Sequence, residues 1–210
     1  MADVTLTYKG STIAEMNDTG TKTLKTAGKY CEGDIGVSYV KPESGASGFW
    51  DEDTVKAFLS DRASVTSIVI PSGITKIDFA TFSGFTNLSL VSLPDSITTI
   101  GNSAFENCTN LSLTSLPENI QIIKFGAFYG CTNLAITFMP ASLREIDYNA
   151  FYGCTSLTTI TFKGKPIVID SSAFIDCTNL TNIYVPWAEG AVADAPWGAT
   201  NATIHYNTTT

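Results

Sequence analysis

Five cysteines, one histidine and twenty carboxylates are the side chains in this sequence that could support chemistry. Four of the cysteines recur at one constant interval, as Cys108, Cys131, Cys154 and Cys177. Zinc sites pair their thiols about two to four residues apart, so this much wider spacing argues against a metal centre. If the segments between the cysteines stack as parallel strands, neighbouring thiols lie roughly 4.8 Å apart but point side by side into the core. We therefore predict buried structural thiols rather than disulfides or metal ligands, with Cys31 as an unpaired fifth.

The single histidine, His205, would have to serve any Ser-His or Cys-His catalytic pair. It falls in a predicted strand near the end of the sequence, with no nucleophile motif beside it. The sequence also contains no phosphate-binding glycine loop, no HExxH zinc motif and no dinucleotide-binding glycine motif. We predict no enzyme activity, no catalytic or metal-binding residue, and no cofactor.

The composition narrows the classes of partner. Only 15% of the 210 residues are charged, against about 25% in a typical domain, and the formal net charge is −8. Nucleic-acid binding needs clustered Lys and Arg, so we do not expect it. The sequence has no apolar run of about 18 residues, and residues 1–3 lack the basic start of a signal peptide. We expect no membrane insertion and no signal peptide, and the localisation stays open between a virion and a cell surface.

An internal 23-residue repeat predicts the secondary-structure elements that position these residues. Three large apolar residue types each keep a column of their own: Phe82, Phe105, Phe128, Phe151 and Phe174; Ile77, Ile100, Ile123, Ile146 and Ile169; and Leu88, Leu111, Leu134, Leu157 and Leu180. Proline recurs at a fourth position of the repeat, where one repeat has Lys163 instead. Repeats of this length cannot bury a core alone, so the pattern predicts a solenoid in which each coil completes its neighbour.

Each repeat reads as a short strand followed by a turn. Leu157, Ile160 and Phe162 have the spacing of inward strand residues, and the proline that follows most such runs ends pairing because it has no N–H. The segment from Ala104 to Cys108 predicts a short helical turn. The residues before the cysteines are types that tolerate a positive φ: Asn107, Gly130, Gly153 and Asp176.

The run Leu157-Thr-Thr-Ile-Thr-Phe162, then Ile169 and Ala173-Phe174-Ile-Asp-Cys177-Thr-Asn-Leu180, resembles the BspA-like leucine-rich repeat. The resemblance covers about residues 65–186. It implies a mainly β leucine-rich-repeat solenoid with short helical turns, right-handed and curved, whose parallel strands line the concave side. Thr114 and Thr137 replace the middle aliphatic residue, which leaves the strand register of those two coils open.

The sequence divides into five predicted segments. In chain order they are a small β-module (1–40), a linker (41–48), a capping helix (49–64), the repeat solenoid (65–186) and a C-terminal cap (187–210). Strand-like runs at 4–8, 22–24 and 35–39 define the first segment. Asp51 is a suitable N-cap for the capping helix, whose apolar side chains share one face. The C-terminal cap is predicted as a short helix followed by a closing strand.

Both ends of the sequence carry weaker resemblances. The segment from Leu6 to Ile35 resembles a small β-module of prophage tail proteins and gut-bacterial surface proteins. The tail after Pro186 is similar to segments that close such repeats in prophage tail-associated proteins of gut bacteria. These resemblances imply that the first segment attaches the chain to a larger assembly.

A partner would contact the outward residues of the predicted strands. Eighteen outward positions follow from inward Leu88, Val91 and Leu93, and none of the eighteen is charged. The candidate partner-binding residues among them are Leu90, Leu113, Ile136, Phe138, Thr159, Thr161, Asn182 and Tyr184. The first three form an exposed apolar patch if the register is regular, but they turn inward if the strands slip by one residue. Both alternatives remain open from the sequence.

These observations predict a non-catalytic binding or adhesion protein. Its neutral surface, which carries hydroxyl groups and aromatic rings, would meet a protein or a carbohydrate on a host or bacterial surface. The resemblances at the two ends favour a place in a prophage tail assembly. A bacterial cell-surface adhesin and a purely structural or oligomerisation module without a ligand are the alternatives.

Overall fold

The computed structural model describes residues 4–8, 11–16, 22–24, 34–35, 66–70, 75–77 and 79–208. Within these residues the chain forms short strands and turns, and no helix. The strands are β1 (Val4–Tyr8), β2 (Ser11–Met16), β3 (Lys22–Leu24), β4 (Asp34–Ile35), β5 (Ser67–Val69), β6 (Lys76–Ile77), β7 (Leu90–Ser92), β8 (Thr99–Ile100), β9 (Ile122–Ile123), β10 (Phe138–Met139), β11 (Glu145–Ile146), β12 (Thr159–Phe162), β13 (Val168–Ile169), β14 (Asn182–Tyr184) and β15 (Thr203–His205). The predicted linker, the predicted capping helix and Cys31 lie outside the described residues.

One sheet runs the length of the described repeats. It contains six parallel strands in the order β13-β11-β9-β8-β6-β4. Within the repeats each residue pairs with its equivalent in the next repeat, as Ile77 does with Ile100 and Ile100 with Ile123. The predicted fold, a mainly β solenoid of stacked repeat coils with parallel strands, is confirmed.

The second column of strands is split into two sheets. One has the order β1-β2-β3-β5-β7, and the other has the order β10-β12-β14-β15. Residues 111–116, between β7 and β10, contain no strand. The predicted strands at 4–8 and 22–24 are present as β1 and β3, whereas β2 was not predicted. Of the predicted strand at 35–39, Ile35 belongs to β4, and residues 36–39 lie outside the described residues. β3 pairs with β5 and β4 with β6, so strands from the predicted 1–40 module extend both sheets.

The core is built from the predicted columns. The five phenylalanine rings from Phe82 to Phe174 stack on one another, with centroids between 5.1 and 5.4 Å apart. Trp197 lies one repeat length after Phe174 and continues this column as a fully buried side chain. The column is also joined through the backbone, because the Phe174 N–H donates to the Trp197 carbonyl at 2.9 Å.

The segment predicted as a helical turn consists of consecutive hydrogen-bonded β-turns. The Cys108 N–H donates to the carbonyl three residues earlier, as does the Glu106 N–H. Positive φ occurs before each cysteine as predicted, at Asn107, Gly130, Gly153 and Asp176. A second positive φ lies four residues earlier in most coils, at Ser103, Gly126 and Asn149. Two left-handed residues in such a short segment prevent a right-handed helix from propagating.

The C-terminal segment forms one further, irregular coil. Its closing strand, β15, pairs in parallel with β14 as predicted. The predicted short helix is wrong, because residues 188–202 form turns and bends. Positive φ values at Gly190, Asp194, Trp197 and Gly198 interrupt any helical run. The side chains of Trp187, Val192 and Trp197 are buried, so this coil covers the core of the last repeat.

Candidate binding surface

The sheet of β10, β12, β14 and β15 presents one outward surface, which we call the strand face. It is defined by seven side chains: Phe138, Thr159, Thr161, Asn182, Tyr184, Thr203 and His205. The parallel register places them in two rows, with Phe138 beside Thr161, Thr161 beside Tyr184 and Tyr184 beside His205. None of the seven is Lys, Arg, Asp or Glu. Five of the eight predicted candidates therefore lie together on this surface.

Aromatic rings occupy both ends of the longer row. The rings of Tyr184 and His205 are stacked, with centroids 4.4 Å apart and an interplanar angle of 13°. His205 Nε2 lies 2.9 Å from Asn182 Oδ1, a distance at which an Nε2–H donates to the amide oxygen. At the other end, Phe138 is 46% exposed and the Lys163 ammonium lies 5.4 Å from its ring centroid.

His205 was not among the residues predicted for this surface. The repeat period does not indicate this position, because the separation along the chain between the paired residues Tyr184 and His205 is two residues shorter than one repeat. The outward pattern Asn182-x-Tyr184 is nevertheless matched by Thr203-x-His205, so a search for the strand spacing would have found it.

The three predicted apolar candidates differ in side-chain exposure. Leu90 is 65% exposed, Leu113 is half-buried and packs on the core, and Ile136 is only 1% exposed. The prediction that Ile136 faces a partner is therefore wrong. In its coil the regular inward position is Thr137, which is exposed, and the same exchange occurs at Thr114 in the coil before. A slip of one residue buries an aliphatic side chain and leaves the threonine in water, which costs less than burying the hydroxyl.

The sheet is interrupted at the first coil that contains the slip. Among the described residues, no backbone hydrogen bond joins residues 90–93 to residues 113–116. A depression of about 360 Å³ lies over this interruption, lined by both segments and by the turn that follows each. We call this depression the groove.

The cysteine column has the structural role that the spacing predicted. Cys108, Cys131, Cys154 and Cys177 are free and buried. Each Sγ–H donates to a phenylalanine carbonyl of the preceding coil at 3.0–3.1 Å. Burial raises the pKa of Cys108 and Cys177 to about 12 and raises those of the other two well above the ordinary value. The thiols are therefore protonated at neutral pH and cannot act as thiolate nucleophiles.

Charged groups in the repeats form ion pairs. Lys124 pairs with Glu145 at 2.7 Å, and Lys163 pairs with Glu118 at 3.0 Å. In the part of the chain that the structure describes, no group of three or more His, Cys, Asp or Glu could hold a metal ion. That same part contains no helix that could cross a bilayer.

Comparison with known proteins places this geometry in a family. The model of the BspA type leucine-rich repeat region matches residues 54–181 in six copies. A T. pallidum leucine-rich repeat protein of known structure is 28% identical, with a TM-score of 0.51, over 68% of this chain and 69% of that one. A Bacteroides ovatus leucine-rich repeat protein is 22% identical, with a TM-score of 0.54, over 88% of this chain and 46% of that one, and shows the fold. No curated protein matches this chain. With more than half of its length matched in six copies, the chain belongs to the BspA-type leucine-rich repeat family.

Proposed function

We propose that this protein is a non-catalytic binding protein and that the strand face holds an uncharged protein or carbohydrate surface of a host or bacterial cell. One observation carries the proposal: the strand face combines an exposed Phe138 and a stacked Tyr184–His205 pair with hydroxyl and amide side chains, and it contains no Lys, Arg, Asp or Glu. Aromatic residues are enriched at binding surfaces, because they bury a large apolar area and lose little conformational entropy.

The surface is also preorganised. Parallel hydrogen bonding holds the strands in register, and the Asn182 amide and the Tyr184 ring hold the His205 ring from two sides. A rigid surface loses little entropy on binding, so a modest contact area can give useful affinity. None of the seven strand-face side chains is Lys, Arg, Asp or Glu, and Lys163, whose ammonium lies over Phe138, is paired with Glu118. We therefore expect the affinity to depend weakly on salt.

A binding screen with matched variants tests the proposal. The full chain is applied to arrays of host glycans and extracellular-matrix proteins, beside Tyr184→Ser and Phe138→Ser variants. The control is Tyr148→Ser, because Tyr148 is 46% exposed but lies on a turn outside the strand face. We expect binding that both strand-face variants weaken by at least tenfold and the control leaves intact. Binding that survives both strand-face changes would contradict the proposal.

A second candidate, self-association, is favoured by one edge of the six-stranded sheet. β13 is the last strand there and has no further partner strand among the described residues. Ile167, just before it, is 75% exposed, and Val168 is 48% exposed. Apolar open edges are templates for pairing with another chain. Light scattering of the wild type and of Ile167→Lys tests this: a dimer that the substitution dissociates supports it, and a wild-type monomer at high concentration excludes it.

Adhesion and a place in a prophage tail are finer proposals that rest on the resemblances at the two ends. Neighbouring tail genes would favour the tail assembly. A secretion signal or a sortase motif in the gene would favour a cell-surface adhesin.

A further inference from the structure

The groove lies where the second column of strands is interrupted. β7 precedes the interruption and pairs with β5. In the next coil Thr114 occupies a position that is aliphatic in the coils before and after the slip. Thr114 is exposed and Leu113 turns toward the core in its place. The backbone of residues 113–116 consequently does not follow the ladder.

This departure leaves main-chain groups of residues 113–116 without hydrogen-bond partners in the described part of the chain. Among the described residues, none of the four N–H groups of residues 113–116 donates a hydrogen bond. The carbonyl groups of residues 114–116 accept none from that part of the chain. Coils farther along the chain pair regularly, as Thr159 does with Asn182. Such groups are met by water at a surface, and a ligand that supplies equivalent hydrogen bonds can displace that water.

The lining of the groove indicates the chemistry of that ligand. Half-buried Val91 and Leu113 supply an apolar patch, and Ser92 and Ser115 supply exposed hydroxyl groups. The charged residues of the lining, Asp95 and Glu118, are both acidic. Asp95 Oδ1 accepts the Glu118 N–H at 3.2 Å, and the Glu118 carboxylate pairs with Lys163.

An anionic ligand would meet two carboxylates in the lining, of which the Glu118 carboxylate is paired with Lys163 and Asp95 has no cation beside it in the lining. A neutral ring with hydroxyl groups on its rim and C–H groups on its face matches every part of it. Hydroxyl groups can accept from the free N–H groups and donate to the carboxylates, while the C–H face covers the apolar patch. A volume of about 360 Å³ lies at the lower end of the range for small-molecule sites, which is roughly 300–1,000 Å³.

We propose that the groove is a subsite for one sugar ring of a neutral oligosaccharide. The inference rests on the proposed function, because it assigns carbohydrate as the partner class and adds a second contact beside the strand face.

Amide chemical shifts of the ¹⁵N-labelled full chain, titrated separately with cellotetraose, maltotetraose and mannotetraose, test the inference. We expect at least one of the three to shift the amide signals of residues 113–116. Two variants should weaken that binding by at least tenfold. Ser115→Tyr fills the groove from an exposed position, and Leu113→Thr combined with Thr114→Val restores the regular inward pattern and closes the ladder. Thr158→Tyr is the matched control, because it makes a similar change at an exposed outward position away from the groove.

The groove inference is overturned if none of the three tetrasaccharides shifts these signals, or if Ser115→Tyr binds as the wild type does. It is also overturned if the site takes a cationic peptide such as tetralysine, in a salt-dependent manner, in preference to the sugars. Failure of the proposed function is separate, since it is read from Phe138→Ser and Tyr184→Ser, neither of which lines the groove. If those two variants lose binding to a protein partner and no sugar binds, the strand-face proposal stands and the groove proposal is contradicted.

Discussion

The one-residue slip makes a quantitative prediction within a single column of the repeat. Leu90, Leu113 and Ile136 hold the same position in successive repeats, yet their exposure falls from 65% to half-buried to 1%. Truncation of Ile136 to alanine removes a fully buried side chain, for which we expect a loss of about 3 kcal/mol, within the range of about 2–5 for such changes. The same truncation at Leu90 should cost about 0.5 kcal/mol, because most of its surface is already in water. Leu113→Ala should lie between these values.

Urea unfolding followed by far-UV circular dichroism measures all three free energies of unfolding. Ile160→Ala is the control, since Ile160 occupies the regular inward position of a coil without a slip and is fully buried. We expect Ile136→Ala and Ile160→Ala to be equally destabilising. A constant m value across the series is required for the comparison. Equal effects of Leu90→Ala and Ile136→Ala would refute the slip.

Three further outcomes follow from the packing of the coils. Gly164→Ala should lower the free energy of unfolding by about 1–3 kcal/mol, measured by urea unfolding, because an added Cβ would lie 2.6 Å from the Ala141 carbonyl oxygen. Phe128→Ala should cost about 3–5 kcal/mol in the same assay, and a smaller effect would show that its stacked column does not hold the coils together. The pKa of the Cys108 and Cys177 thiols is raised from 9.0 to about 12, so the folded protein keeps protons that the unfolded chain releases. Stability should therefore fall as the pH rises from about 9 to about 12, by roughly 1 kcal/mol per pH unit for each thiol. Urea titrations across that range check this, and a stability that stays constant would contradict it.

The sequence predicted those parts of the fold that repeat identically. Phe128 and Cys131 recur in register because every coil must place the same volume at the same point of the core, and buried packing tolerates little variation. The positive φ before each cysteine was predictable as well, because Gly130 and Asn107 are among the few residue types that adopt it readily.

The parts that the sequence left open depend on competition between similar energies. Whether Leu113 or Thr114 faces inward depends on the cost of a buried hydroxyl against the cost of a distorted ladder, and the residue types alone do not decide it. The contribution of His205 was missed for a different reason: the last coil is two residues shorter between paired strands, so its pairing departs from the repeat period.

Hydroxyl-radical footprinting with mass spectrometry tests the central proposal most directly. The full chain is labelled with and without the ligand identified in the binding screen, and oxidation is compared at three aromatic side chains and one internal control. We expect bound ligand to protect Phe138, Tyr184 and His205, which lie on the strand face, and to leave Tyr148 as reactive as in the free protein. Protection of Tyr148 with unchanged oxidation of the other three would show that the partner binds elsewhere and would contradict the proposal.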